Sequence, residues 1–127
     1  MSKDQIIKSL IFKSAKDVDS ANNLFKSGHY DWSLFIWHLA IEKILKAKLI
    51  SQNKEVIYTH NLVRLIKTTD LELTEQLEDE LNEITTYNIE ARYDDYKLSF
   101  YKKATKIYTE KWTKICEKIY KLAKESI

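Results

Sequence analysis

Among 127 residues there is one glycine, Gly28, and no proline. β-Hairpins, glycine-rich phosphate loops and proline-punctuated linkers are built from left-handed backbone positions and preset turns, so a chain almost without either is driven toward helices. Dinucleotide-binding and Walker-type sites are excluded on the same ground, because both place glycines against the phosphates. The length suits one domain, and 44% hydrophobic with 31% charged residues is enough apolar material for a core under a well-solvated surface.

Hydrophobic spacing predicts five helices and no sheet. Ile7, Ile11, Val18, Ala21 and Phe25 recur at three- and four-residue steps, with Ser14 in the one missing slot, and Gly28 supplies the stop. A second helix over 30–50 is apolar almost all round, as a central helix must be. Residues 51–59 are polar, and Thr59 is the expected N-cap of a short third helix carrying Leu62, Leu65 and Ile66. Leu73, Leu77, Leu81, Ile84 and Tyr87 make a fourth helix ending near Ala91. Residues 92–99 have no clear period, after which Phe100, Ala104, Ile107, Ile115, Ile119 and Leu122 resume the stripe. The expected fold is all-α, an up-and-down antiparallel helical bundle of four long helices plus one short helix, with residues 1–127 as a single domain. No repeat or low-complexity segment interrupts it.

One cysteine, Cys116, forms neither an internal disulfide nor a cysteine-rich zinc site, and a reducing compartment is its natural setting. The most apolar stretch, residues 34–41, contains His38 and is far shorter than the roughly 20 residues of a membrane helix. Lys3, Asp4 and Lys8 break up the apolar residues of the N-terminus, unlike a signal peptide. A cytoplasmic protein without membrane contact is expected. The net charge of +2 conceals a separation: residues 70–95 hold ten acidic groups and one basic, whereas residues 97–124 hold nine lysines and two glutamates. Such asymmetry either steers an anionic partner to one face or lets neighbouring acidic and basic helices attract each other. Two amphipathic segments in one small domain favour the internal attraction.

His38, Glu42 and Lys46 fall at i, i+4 steps and draw a polar line along the otherwise apolar second helix. That line is either an exposed edge with an ordinary Glu42–Lys46 surface pair, or a polar pocket or subunit contact. It is no zinc site, because two ligands and no HExxH spacing fall short of a metal centre. The histidines His29, His38 and His60 are scattered, no Ser or Cys stands in a nucleophile motif, and Cys116 between Ile115 and Ile119 reads as a small core residue. Trp37 and Trp112 also read as core. A separate segment surrounds Arg92 with Tyr87, Tyr93, Tyr96, Asp94 and Asp95. The arginine either answers the macrodipole at a helix end or binds an anion.

Gly28-His29-Tyr30, then the run from Ala40 through Glu42 and Lys46 to Ala47, then Thr59-His60-Asn61-Leu62, then Ala91-Arg92-Tyr93-Asp94, in this order, resembles the HEPN family (higher eukaryotes and prokaryotes nucleotide-binding domain) from about Ala15 to Ala123. The resemblance implies an all-α bundle that commonly dimerises and is often encoded beside a minimal nucleotidyltransferase in a toxin–antitoxin pair. Many such proteins are metal-independent ribonucleases whose motif is an arginine, four to six residues, and a histidine. Arg92 matches the arginine, but Lys97, Leu98 and Ser99 occupy the positions of the histidine, and no histidine follows Arg92. Cleavage through the 2′-hydroxyl needs proton transfer near neutral pH, which a histidine supplies and a lysine does not.

The resemblance therefore implies a non-catalytic binding module with no cofactor and no metal. Arg92, Tyr93, Asp94, Tyr96 and Lys97, with Glu42 and Lys46, would contact a nucleotide, an RNA phosphate or a nucleotidyltransferase partner. A homodimer is expected as well, since the second helix sets a polar line beside a very apolar surface. The alternative is a diverged endoribonuclease in which Lys97, Tyr96, Tyr101 or His60 replaces the missing histidine. Tyr93, Tyr96 and Tyr101 are placed as acceptors for modification by such a partner, although the usual histidine-x-tyrosine setting is absent.

Overall fold

The structure is a computed structural model describing residues 1–127. It contains six helices and no strand: α1 (Lys3–Lys26), α2 (Tyr30–Ser51), α3 (Leu62–Thr68), α4 (Glu75–Arg92), α5 (Asp94–Lys103) and α6 (Lys106–Glu125). The long helices alternate in direction. Ser33 Oγ donates to the Ala21 carbonyl at 2.8 Å, and Lys43 meets Asp17 at 2.5 Å, so α1 and α2 form an antiparallel pair. Lys48 Nζ donates to the Ser126 carbonyl at 2.6 Å, which brings the C-terminal ends of α2 and α6 together. The Tyr87 and Tyr108 hydroxyls, 2.7 Å apart, set the last turns of α4 beside the first turn of α6. No helix is long and apolar enough to cross a membrane.

α2 is the hub, as its nearly continuous apolar surface requires. Trp37, Ile41, Ile44, Leu45 and Leu49 are fully buried, and Trp37 meets Tyr120 of α6 edge-on at 6.5 Å. Truncating such a residue to alanine costs about 2–5 kcal/mol in a typical core. Trp112 is only partly buried but packs against the same core, and Cys116 lies inside it, where burial pushes the thiol up. A buried, fully protonated thiol is a packing residue.

Helix starts follow local chemistry. Ser2 and Gln5 form a capping box at α1, which extends the first helix back to Lys3. Thr74 caps α4 and Thr105 caps α6, each accepting from the backbone N–H three residues on. Gly28, at φ 79°, ends the α1 turn in the left-handed region. Asn61, not Thr59, caps α3; Thr59 Oγ1 instead accepts from the Asn61 N–H at 3.1 Å.

The expected fifth helix is two helices. α5 begins two residues after Arg92, then Ala104 (ψ 61°) breaks the chain before Thr105 starts α6. Asp94 and Asp95 in the first turn and Lys102 and Lys103 in the last favour α5 through the macrodipole. Phe100 is the one α5 residue that is buried, so no apolar stripe betrays the helix.

Candidate functional site

Two polar groups share one side of α4. The first is built on α2. His38 is fully buried and its Nε2–H donates to the His60 carbonyl at 3.0 Å. Glu42, one turn on, is 7% exposed and accepts on both oxygens, from His60 Nδ1–H at 2.7 Å and from Lys46 Nζ at 2.9 Å. The polar line is thus not an exposed edge. It clamps the loop after α2 at both the backbone and the ring of His60. Burial opposes ionisation of Glu42, but the hydrogen bonds from His60 and Lys46 more than offset it and hold the carboxyl below its ordinary range. Burial also holds the His38 imidazole below its ordinary value, and its Nδ1 has no partner. His60 is different, because its side chain is 59% exposed. Its Nδ1 is held by the Glu42 carboxylate, which fixes the orientation of the ring.

The second group is the α4–α5 junction. Arg92 is the last residue of α4, exposed, and held by Asn88 Oδ1 at 3.2 Å. It forms no ion pair; Asp94 pairs instead with Lys97 at 3.2 Å and Glu90 with Lys103 at 3.7 Å. Tyr93 and Tyr96 beside it are each half or more exposed. Lys97, Leu98 and Ser99, where a histidine was sought, are all on exposed parts of α5.

Thr85 connects the two groups. Its Oγ1 accepts from the Leu62 N–H at 3.1 Å, two residues after His60. Thr85, Asn88 and Arg92 follow at three- and four-residue steps and so share a face of α4, with about 10 Å of helix between Thr85 and Arg92. No hydrogen bond or ion pair joins Glu42 and Lys46 to the Arg92 group.

Sequence reasoning missed a third network. Tyr108 donates to Glu83 and is bonded to Tyr87, and Lys103 Nζ lies 2.8 Å from Glu83 and over the Tyr87 and Tyr108 rings. Burial raises both tyrosine hydroxyls far above their ordinary value, and it raises the Glu90 carboxyl too. Glu83 moves the other way: its burial is outweighed by the bonds from Lys103 and Tyr108. The Glu83–Tyr87 spacing of four was readable, but Tyr108 and Lys103 arrive only through tertiary packing. The charge separation is spent internally in part, since Lys103 pairs with Glu83 and Glu90 and Lys97 pairs with Asp94 across the acidic and basic segments. No ion pair joins α4 to α6. No group of three or more potential ligands that could hold a metal ion is present.

The family model of the HEPN domain matches residues 7–126. Among solved structures, the crystal structure of TT1696 from Thermus thermophilus is similar, at 20% identity, with a TM-score of 0.83 over 95% of this chain and 98% of that one. That likeness is one of fold. No curated protein gives a significant match.

Proposed function

Since the chain belongs to the HEPN domain family, we propose that it is a non-catalytic binding module whose Arg92 takes a nucleotide or RNA phosphate, acting as a cytoplasmic homodimer or bound to a minimal nucleotidyltransferase in a toxin–antitoxin-like pair. The observation that carries this reading is the state of Arg92. It is exposed, oriented by the buried Asn88 and free of any carboxylate. A guanidinium kept charged, forked and unpaired suits phosphate better than it suits a structural role. Tyr93 and Tyr96 offer faces on which a base can stack, and Lys97 with its Asp94 partner lines the same junction. Glu42 and Lys46 serve that side of the molecule indirectly, by fixing His60.

The test is retention and cleavage of end-labelled single-stranded RNA by the wild type and Arg92→Ala. Retention that falls about tenfold or more in the variant, weakens steeply with salt and leaves the RNA intact is the expected result. Equal retention by both removes Arg92 from the site, and loss of neither RNA nor protein partner binding defeats the reading.

A second reading has its own observation. The imidazole of His60, oriented by Glu42 on a side chain that is 59% exposed, is the arrangement of a general base and could stand in for the missing histidine of a diverged metal-independent endoribonuclease. Cleavage that disappears with both Arg92→Ala and His60→Gln would select it.

A further inference from the structure

Eight of the ten α5 residues are exposed and only Phe100 is buried, so very little holds this helix to the bundle. Tyr96, Phe100 and Lys103 follow at steps of four and three and share one face of it. The Phe100 ring stacks on Tyr87 with centroids 5.5 Å apart. Lys103 Nζ lies 2.8 Å from Glu83 and 3.7 Å from Glu90, and 5.9 and 5.6 Å over the Tyr87 and Tyr108 rings. Glu83, Tyr87 and Glu90 repeat the four-three spacing along α4, and Tyr108 comes from α6. A lone exposed ion pair contributes little. Here one ammonium group has two carboxylates and two ring faces, which together make a cage. At its other end α5 hangs from Tyr93, the residue after Arg92, whose carbonyl accepts from the Tyr96 N–H at 3.0 Å and the Lys97 N–H at 3.1 Å.

We propose that Lys103 is a positioning residue of the Arg92 site: held in the cage of Glu83, Glu90, Tyr87 and Tyr108, it fixes the rotation of α5 and thereby sets Tyr96 and Lys97 beside Arg92. This role rests on the phosphate reading of Arg92 given above. Both ends of α5 are joined to neighbouring helices, at Tyr93 and at Ala104, so the freedom left to it is rotation about its own axis and fraying of its turns. Phe100 is a single pivot. Lys103, one turn further along the same face, is a second, and two ties on one face hold the roll that one leaves free. Tyr96 lies about 10 Å of helix from Lys103, a distance over which a helical segment turns as a unit. The tyrosine is thus aimed by a contact that touches neither Arg92 nor its ligand. The charge of Lys103 is already engaged by Glu83 and Glu90, which separates its part from that of a lysine binding phosphate directly.

Amide hydrogen exchange, and retention of end-labelled single-stranded RNA over a salt series, test this on the wild type, Lys103→Met and Lys103→Arg, with circular dichroism confirming that each is helical. Methionine keeps the stem without the charge, whereas arginine keeps a cation that pairs with carboxylates and stacks on rings. In Lys103→Met the α5 amides should exchange about tenfold faster or more, with those of α4 and α6 unchanged. Its RNA retention should fall about fivefold or more, the loss of one stacked base, while the slope of the salt dependence stays that of the wild type. Arg92→Ala, which removes a phosphate contact, should lower that slope by about one. Lys103→Arg should match the wild type in both measurements. Unchanged α5 exchange in Lys103→Met overturns the tie, and faster exchange with full retention overturns its link to Arg92. A slope lowered by about one in Lys103→Met makes Lys103 a phosphate ligand instead. An arginine variant as weak as the methionine one shows that the cage does not act through charge. A wild type that retains no RNA defeats the phosphate reading and the positioning role with it, while exchange still decides whether Lys103 holds α5.

Discussion

His38 and Glu42 show how one helical turn can tie a loop to a core. The pair also makes the protein sensitive to acid in two separable steps. An imidazole held below its ordinary value stays neutral in the native state while the unfolded chain takes up a proton, so stability declines as pH falls below about 6.5. A carboxyl held below its ordinary value contributes stability that is complete above about 4.3 and is lost as pH falls through the native-state value. Urea midpoints measured from pH 8 to pH 3 should therefore drop in two stages. His38→Gln, which keeps a donor for the His60 carbonyl, should flatten the upper stage and leave the lower one. Glu42→Gln should shrink the lower stage, leaving the share that Glu83 contributes, and cost about 1–3 kcal/mol at neutral pH by unpairing buried partners. At this scale the sequence told much about identity and little about pairing. Arg92 and the polar line on α2 were visible from spacing, but whether Glu42 faces water or His60 depends on how a loop of about ten residues closes.

The helices themselves were legible wherever they bury a stripe. α1, α2, α3 and α4 appear where periodicity put them, because each presents apolar residues at helical spacing to a common core. α5 was not legible, since a helix with Phe100 as its one buried residue has no stripe to read. Its end depends on the Ala104–Thr105 break, so Thr105→Ala, which removes the cap from the Tyr108 N–H, should cost about 1 kcal/mol in chemical denaturation. At the other tight joint, Gly28 sits at φ 79° with nothing within 4 Å of a would-be Cβ. Gly28→Ala should lose about 1 kcal/mol from backbone conformation alone, and Gly28→Asn should lose less, because asparagine tolerates the left-handed region. Equal losses in the two variants would mean that the cost is steric instead.

Across the whole molecule, the acidic and basic segments were plain in the sequence, but their use was not. Spacing cannot tell whether two oppositely charged faces point at each other, and here α4 and α6 do not pair their charges. The fold therefore rests on apolar packing around α2. Melting temperature should change by no more than a few degrees between 50 and 500 mM salt, because apolar packing is not screened. A melting temperature that collapses with salt would show instead that long-range attraction between the segments supports the fold. One further consequence belongs to α1. It lies along α2, with only Ser14 and Ala21 fully buried, and its polar ties beyond α2 are Ser14 to the Tyr120 hydroxyl at 2.8 Å and Lys3 to Asn53. A helix attached on one side can lift away while the remaining five keep their order. Amide hydrogens of α1 should exchange with solvent through this partial opening, well ahead of those of α2, whose protons await unfolding of the entire chain.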